Sequence, residues 1–400
     1  MHSSWFNRFQ VKSAPGNKLE LRDVLAPPSK LVDAEPFSLL KGRELTLAYF
    51  RRGLAPPVMS SIGRLVGDEP ADPEDELFWQ YPCRTEGGAW EQHKHDSEPT
   101  VRAGELHIYL GLPWASWIDF ARKKAWRRDG EIRKQFQLQM VGVRISGLRC
   151  ALAELDIRLR VHTVCQHIEW RDMARTWQKL GVTDAWLSHC SDQDVADQNM
   201  AFEVHPWALF AVNVLDPQRR TGLCIGADPA TKPVLASFQG ASGPGYLGNV
   251  RTRLSIFENE PGFVVRITDK WHFEDVVYSH QIGRMPMKRD DDLHLSVKSY
   301  NQLLSDSIFS LCPAGTGPNS LRLWESLAVG AVPVMIGPLP AMPMGGNLPP
   351  IDWDEIVVRI RDEQFDDLPG ILRSMPMERV RRMQGLGMEA HALVARQRCY

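Results

Sequence analysis

Several things are scarce in this sequence of 400 residues, and each scarcity excludes a class of protein. Its 7 cysteines show no paired spacing, which argues against a disulfide framework or a zinc site. No apolar run reaches the roughly 18 residues that would mark a membrane span. The opening stretch MHSSWFNRFQVKSAPGNK has no apolar core of the kind a secretion signal needs. No sustained basic tract exists, and 47 Lys and Arg against 49 Asp and Glu leave a net charge of -2. A nucleic-acid partner is therefore not implied. No Asp-x-Asp closes a candidate strand, Asp290-Asp291-Asp292 reads as a solvated charge run, and GDEPADPEDE has the wrong oxygen spacing for a calcium loop. Neither a metal nor another cofactor is implied. Internal repeats and coiled-coil heptads are also missing.

What remains is an ordinary folded composition, 43% hydrophobic and 24% charged. The length exceeds what one core usually serves, so two domains are expected. Residues 1–40 are polar, interrupted by Ala26-Pro27-Pro28, and read as a peripheral segment. Residues 41–220 read as a first α/β domain and residues 221–400 as a second. Strand candidates in the first are Glu44 to Phe50, Glu105 to Trp114, Leu155 to Cys165, and the runs DAWLSH and WALFAVNVL. Residues 67–100 read as a long loop, 116–138 as helix-like, and Arg171 to Leu180 as a short helix. In the second domain the strands would be Val234 to Phe238, Phe263 to Ile267, Ile308 to Cys312, Val332 to Ile336 and Ile356 to Ile360. Strands joined by longer connections favour parallel sheets.

The most informative stretch is SLCPAGTGPNSLRLWESLAVGAVPVMIGP, from Ser310 to Pro338. Leu311 and Cys312 end an apolar run. Gly315 and Gly317 form a loop, and Leu321, Leu323, Trp324, Leu327 and Ala328 supply one helix face. Gly330 ends the helix, and Val332 begins the next strand. A glycine loop opening a helix offers backbone N–H groups and a positive helix end, which suits phosphate. The loop is neither a P-loop, lacking Lys-Ser or Lys-Thr, nor a GxGxxG fingerprint. Arg322 and Glu325 suit a phosphate and a ribose, or simply each other as a surface ion pair.

This stretch closely resembles the donor-binding core of the exostosin-like glycosyltransferases, family 47. The family pattern appears here as Cys312-Pro313, Gly315, Gly317, Ser320, Arg322, Glu325, Gly330, Pro333 and Val334. Lys232 to Gly240 resembles the family's strand and glycine turn, and Arg251 or, failing it, Arg253 matches its following arginine. IDWDEIVVRI and LPGILRSMPMERVRRMQ resemble its closing strand and helices. Trp177 to Asp192 is a looser match: Asp184 lacks the family's adjacent His, and His189 is followed by Cys190.

The resemblance implies a glycosyltransferase B-type fold, with two Rossmann-like domains facing across a cleft. It implies an inverting transferase that moves a sugar from a nucleotide-sugar donor, taken as a UDP-sugar, to a glycan or glycolipid acceptor. Gly240, Arg251, Gly315, Gly317, Ser320, Arg322 and Glu325 would hold the donor. Developing negative charge on the leaving diphosphate needs such cations. The acceptor hydroxyl needs a base, for which His189 and Asp192 are the candidates. Asp184, His107 and the His272, Glu274 and Asp275 group stand behind them. Trp114 and Trp117, with Trp90, are candidates for stacking on the acceptor. The lack of an anchor points to a soluble, cytoplasmic bacterial member building surface polysaccharide such as lipopolysaccharide. Arg122-Lys123-Lys124 with Arg127-Arg128 reads as a solvated helix face, or alternatively as a contact for an anionic membrane or acceptor. A sugar-nucleotide epimerase and a non-catalytic glycan-binding protein are the competing classes.

Overall fold

Continuous apolar runs between glycines and prolines should become parallel strands buried on both faces. The computed structural model, which describes residues 39–40, 44–45, 77–94, 101–126, 130–153, 156–271, 274–285 and 291–400, has two such sheets. A minimal antiparallel pair, β1 (Leu39–Leu40) and β2 (Glu44–Leu45), precedes them. The rest of the strand expected through Phe50 lies outside the described residues.

The first sheet runs β3 (Val101–Arg102), β4 (Glu105–Tyr109), β5 (Arg158–Cys165), β6 (Asp184–Leu187) and β7 (Glu203–Pro206) in simple spatial order. Only the β3–β4 pair is antiparallel. The second is wholly parallel: β8 (Val234–Ala241), β9 (Phe263–Thr268), β10 (Ser307–Pro313), β11 (Val332–Ile336) and β12 (Val358–Ile360). Its spatial order is β12-β11-β10-β8-β9. The chain goes from β8 outward to β9, then crosses back to lay β10, β11 and β12 on the other side. The direction reverses between β8 and β10, and the carboxyl ends of such strands flank a crevice.

Several expected elements differ. Within the supposed loop 67–100, Thr85–Lys94 is a helix despite its two glycines. Buried Ala89 and His93 anchor it, and buried Glu86 caps Ala115 N–H. Tertiary contacts thus override weak propensity. The helix-like stretch 116–138 holds parts of two helices, Trp114–Arg122 and Gly130–Ala153. The first stops at a tight turn where Lys124 has φ 53°. The run WALFAVNVL is not a strand. β7 ends just before it, and Val212–Leu215 is one helical turn. Its side chains are buried mainly against the helix Leu321–Val329 rather than by a sheet. The last residues do not stay with the second sheet. Gln92 donates to Ala395 O, and Tyr400 packs on His93, His107 and His162 of the first. Among the described residues no helix is long and apolar enough to cross a membrane.

Candidate functional site

A cavity of about 630 Å³ opens at the carboxyl ends of strands from both sheets. From the second sheet it is lined by Gly240 at the end of β8, by Gly315 and Ser320 after β10, and by Arg251, Arg322 and Glu325. Gln80, Asp119, Gln166, His167 and His189 line it from the first-sheet side.

The helix Leu321–Val329 forms because its apolar face packs at Leu323, Trp324 and Leu327, and because Gly330 ends it in the left-handed region, φ 85°. Ser320 sits at the N-cap, yet its side chain caps nothing. Asn319 does the fastening. Its Oδ1 accepts from Trp324 Nε1 at 3.0 Å and from Ser320 N–H at 2.8 Å, while its Nδ2 donates to Ser188 O of the first-sheet side at 2.7 Å. In the sequence Asn319 is only a turn residue; the strand–loop–helix joint gave no sign of this bridging role.

Arg322 leaves the first turn of that helix and is 9% exposed. It donates to Gln239 O, its guanidinium lies over the Phe238 ring at 4.6 Å, and its buried Nε has no hydrogen-bond partner. Arg251 donates to Ala314 O at 2.9 Å and Ala241 O at 2.8 Å, and it stacks over Tyr246 at 4.4 Å. Burial, then the nearby Arg322 charge, pushes its pKa down to about 10. Gly240 makes room for Arg322 and borders Arg251. A Cβ there would lie 2.9 Å from Arg322 Nη2 and 3.7 Å from Arg251 Nη1. Neither arginine has an acidic ion-pair partner among the described residues. Two like charges, one buried and one partly buried, each carry the cost of an uncompensated charge, which a bound anion would relieve.

The alternative reading of Arg322 and Glu325 as a surface ion pair does not hold. Glu325 is buried and accepts from Asn213 N–H at 3.0 Å and from Tyr300 O–H at 2.7 Å. Arg253, the alternative to Arg251, instead pairs with Asp362 and lies outside the cavity.

Across the cavity, His189 closes on the glycine loop. A Cβ at Gly317 would lie 2.4 Å from His189 Nδ1 and 2.7 Å from Ile168 Cγ2. Burial lowers the imidazole pKa to about 3, so it is neutral at ordinary pH.

Other first-sheet assignments need correction. Asp192 is exposed on the first turn of Asp192–Ala196 and is not part of the cavity lining; Ser191 and Asp194 close a capping box there. Trp114 is 0% and Trp117 8% exposed, both within the first core, so neither can stack on a sugar. Trp114 Nε1 donates to Thr163 Oγ1 at 2.7 Å. Trp90 stacks on Trp79, away from the cavity lining. The aromatic groups that do line it are Trp271, Tyr278, Tyr246 and Tyr300. Nothing in the sequence singles out Trp271, because tryptophan position alone does not tell core from cavity. Glu274 lines the cavity, Asp275 does not, and His272 lies outside the described residues.

Asp184 and His107 also fall outside it. Asp184 starts β6 and accepts from Arg160 and, at 2.9 Å, from His205. Burial opposes its charge, but those bonds outweigh it and hold the carboxyl well below the usual range. Ligand atoms of Asp184, Glu203 and His205 lie within 4.8 Å of one another, but Arg160 bonds both carboxylates and supplies the cation. His107 Nδ1 and His162 Nε2 meet at 2.8 Å on the same sheet face.

With this geometry in place, comparison with known proteins is informative. The Exostosin GT47 domain model matches residues 163–375, just over half of the chain. Over 88 residues the chain is 38% identical to a "Probable glucuronosyltransferase" of Oryza sativa subsp. japonica, a match covering 22% of this chain and 20% of that protein. It is 35% identical over 88 residues to a "Probable beta-1,4-xylosyltransferase" of Arabidopsis thaliana, covering 22% and 21%. The chain thus spans about a fifth of the length of the curated relatives it matches. Among solved structures, sucrose-phosphate synthase from Thermosynechococcus elongatus gives a TM-score of 0.36 at 10% identity, covering 88% of this chain and 91% of that one. The GtfA/B complex gives 0.32 at 12% identity, covering 62% and 54%. Both likenesses are too faint to carry an argument.

Proposed function

The chain belongs to the exostosin GT47 family of glycosyltransferases, and from that premise we propose that it moves a sugar from a nucleoside-diphosphate donor to an acceptor hydroxyl, with inversion. The observation that carries the reading is the pair of guanidiniums, buried Arg322 and partly buried Arg251, meeting beside the glycine loop without an acidic partner among the described residues. A diphosphate supplies the missing negative charge and gathers more as the sugar departs, so the cations bind the transition state more tightly than the ground state. Gly240, Gly315 and Ser320 line the cavity where the phosphates would approach backbone, whereas Gly317 does not line it and its open side is filled by His189 and Ile168. Glu325 faces the ribose.

In this reading the two sheets are the halves of a glycosyltransferase B-type enzyme, donor on the second and acceptor on the first. The acceptor is a glycan or glycolipid, stacked on Trp271 and Tyr278. The relatives named above are plant proteins, so the bacterial polysaccharide expected from the sequence gains no support from them. Uridine diphosphate is the first nucleotide to test. Calorimetric titration should detect its binding, and incubation with a panel of nucleotide sugars and oligosaccharides should give a product of inverted anomeric configuration by NMR. Retention would refute inversion, and isomerised donor without transfer would identify an epimerase.

A further inference from the structure

Resting on that transfer reading, we propose that Asp119, held by Gln80 and His167, is the base that takes the proton from the acceptor hydroxyl. Nothing in the sequence pattern marks it: it lies in an apolar helix between Ile118 and Phe120. The fold brings it to the cavity because the helix Trp114–Arg122 starts just beyond the carboxyl end of β4.

Its surroundings orient it as a hydrogen-bond acceptor. One carboxylate oxygen accepts from Gln80 Nε2, and the other faces His167 Nε2 at 3.3 Å. His167 Nδ1 accepts the Glu169 N–H at 3.0 Å, which puts the ring hydrogen on Nε2, directed at Asp119. Gln80 is oriented in turn, since its Oε1 accepts from Gln166 Nε2 at 3.3 Å and Gln166 Oε1 accepts the Glu86 N–H at 3.1 Å. Asp119 is 4% exposed and has no lysine or arginine ion-pair partner among the described residues. One bond on each oxygen leaves lone pairs for a further donor. The arrangement resembles a preorganised base with a second shell that fixes its direction.

The other groups on the cavity wall fit less well. Glu325 is committed to Asn213 and Tyr300, beside the cations. Asp269 and Glu274 are exposed to water. His189 holds its Nδ1 against the glycine loop. In the step, the acceptor O–H proton passes to an Asp119 oxygen while the hydroxyl oxygen forms the bond to the sugar's C1. The bond from C1 to the diphosphate oxygen breaks, its electron pair leaves with the nucleoside diphosphate, and Asp119 later returns the proton to solvent.

The test uses the full chain, uridine diphosphate as binding probe, and the donor and acceptor pair found by screening. Asp119→Asn should lower kcat by roughly 100- to 10,000-fold, with uridine diphosphate affinity and acceptor KM within about threefold, because a base acts in the transition state. Turnover within about threefold of wild type overturns the proposal and leaves the transfer reading standing. If the Asn variant loses nucleotide binding, Asp119→Glu decides: a rate above that of the Asn variant supports a carboxylate role, and an equal rate overturns it. Wild-type protein that yields no product with any donor overturns the transfer reading and this proposal together.

Discussion

The two walls of the cavity are built on opposite electrostatic principles. The second-sheet wall carries two cations, one buried and one partly buried, held by backbone carbonyls, Gln239 O for Arg322 and Ala314 O for Arg251. The first-sheet wall carries Asp119 held by amide and imidazole side chains. Carbonyl dipoles orient a guanidinium without neutralising it, so its charge stays available to a ligand. A side-chain network orients a carboxylate without a full counter-charge, so its lone pairs stay available to a proton. One wall is suited to a leaving anion and the other to an entering hydroxyl.

Removing a cation is the strongest way to break this contrast outside Asp119 itself. Arg322→Ala should weaken uridine diphosphate binding by roughly 10- to 100-fold, the loss of one or two charge-assisted hydrogen bonds. Calorimetry on the folded variant checks it, and unchanged affinity would remove Arg322 from the donor site. A smaller effect tests where the walls meet. Gly317→Ala should weaken nucleotide binding roughly tenfold, about 1–3 kcal/mol of overpacking, because its Cβ would lie 2.4 Å from His189 Nδ1. The double variant with His189→Ala should recover part of that loss. The smallest effect belongs to Asp192. Asp192→Ala should leave turnover within about twofold and thermal stability nearly unchanged, since the residue is exposed and the Ser191–Asp194 capping box is untouched. A large drop in turnover would return Asp192 to the first-sheet wall.

The walls also differ in how readable they were. The second sheet was legible most clearly in its inner strands, such as Val332–Ile336, which is buried throughout and so appears as an unbroken apolar run after a glycine. The residues of its proposed anion site could be picked out together because Gly315, Ser320 and Arg322 are close in the chain. The first-sheet wall gathers Gln80, Asp119, Gln166 and His167 from positions up to 87 residues apart, and no local period records their meeting. Asp119 follows Ile118 and precedes Phe120, both in the first core, so it looks like one polar residue on a buried helix. Trp114 was misread for the converse reason. Its proline neighbour suggested a loop, but the helix begins at Trp114 itself and buries the ring. His189 and Asp192 were close in sequence, yet a strand end followed by a one-turn helix sent them in different directions.

Asn319 carries a mechanical consequence. A single amide side chain ties the opening of the helix Leu321–Val329 to the backbone at Ser188 beyond β6. It is one of several ties between the walls: Ala341 N–H donates to Cys190 O at 2.9 Å, and the Gln281 amide bonds both the N–H and the carbonyl of Tyr81, so the cavity rim is clamped at more than one point.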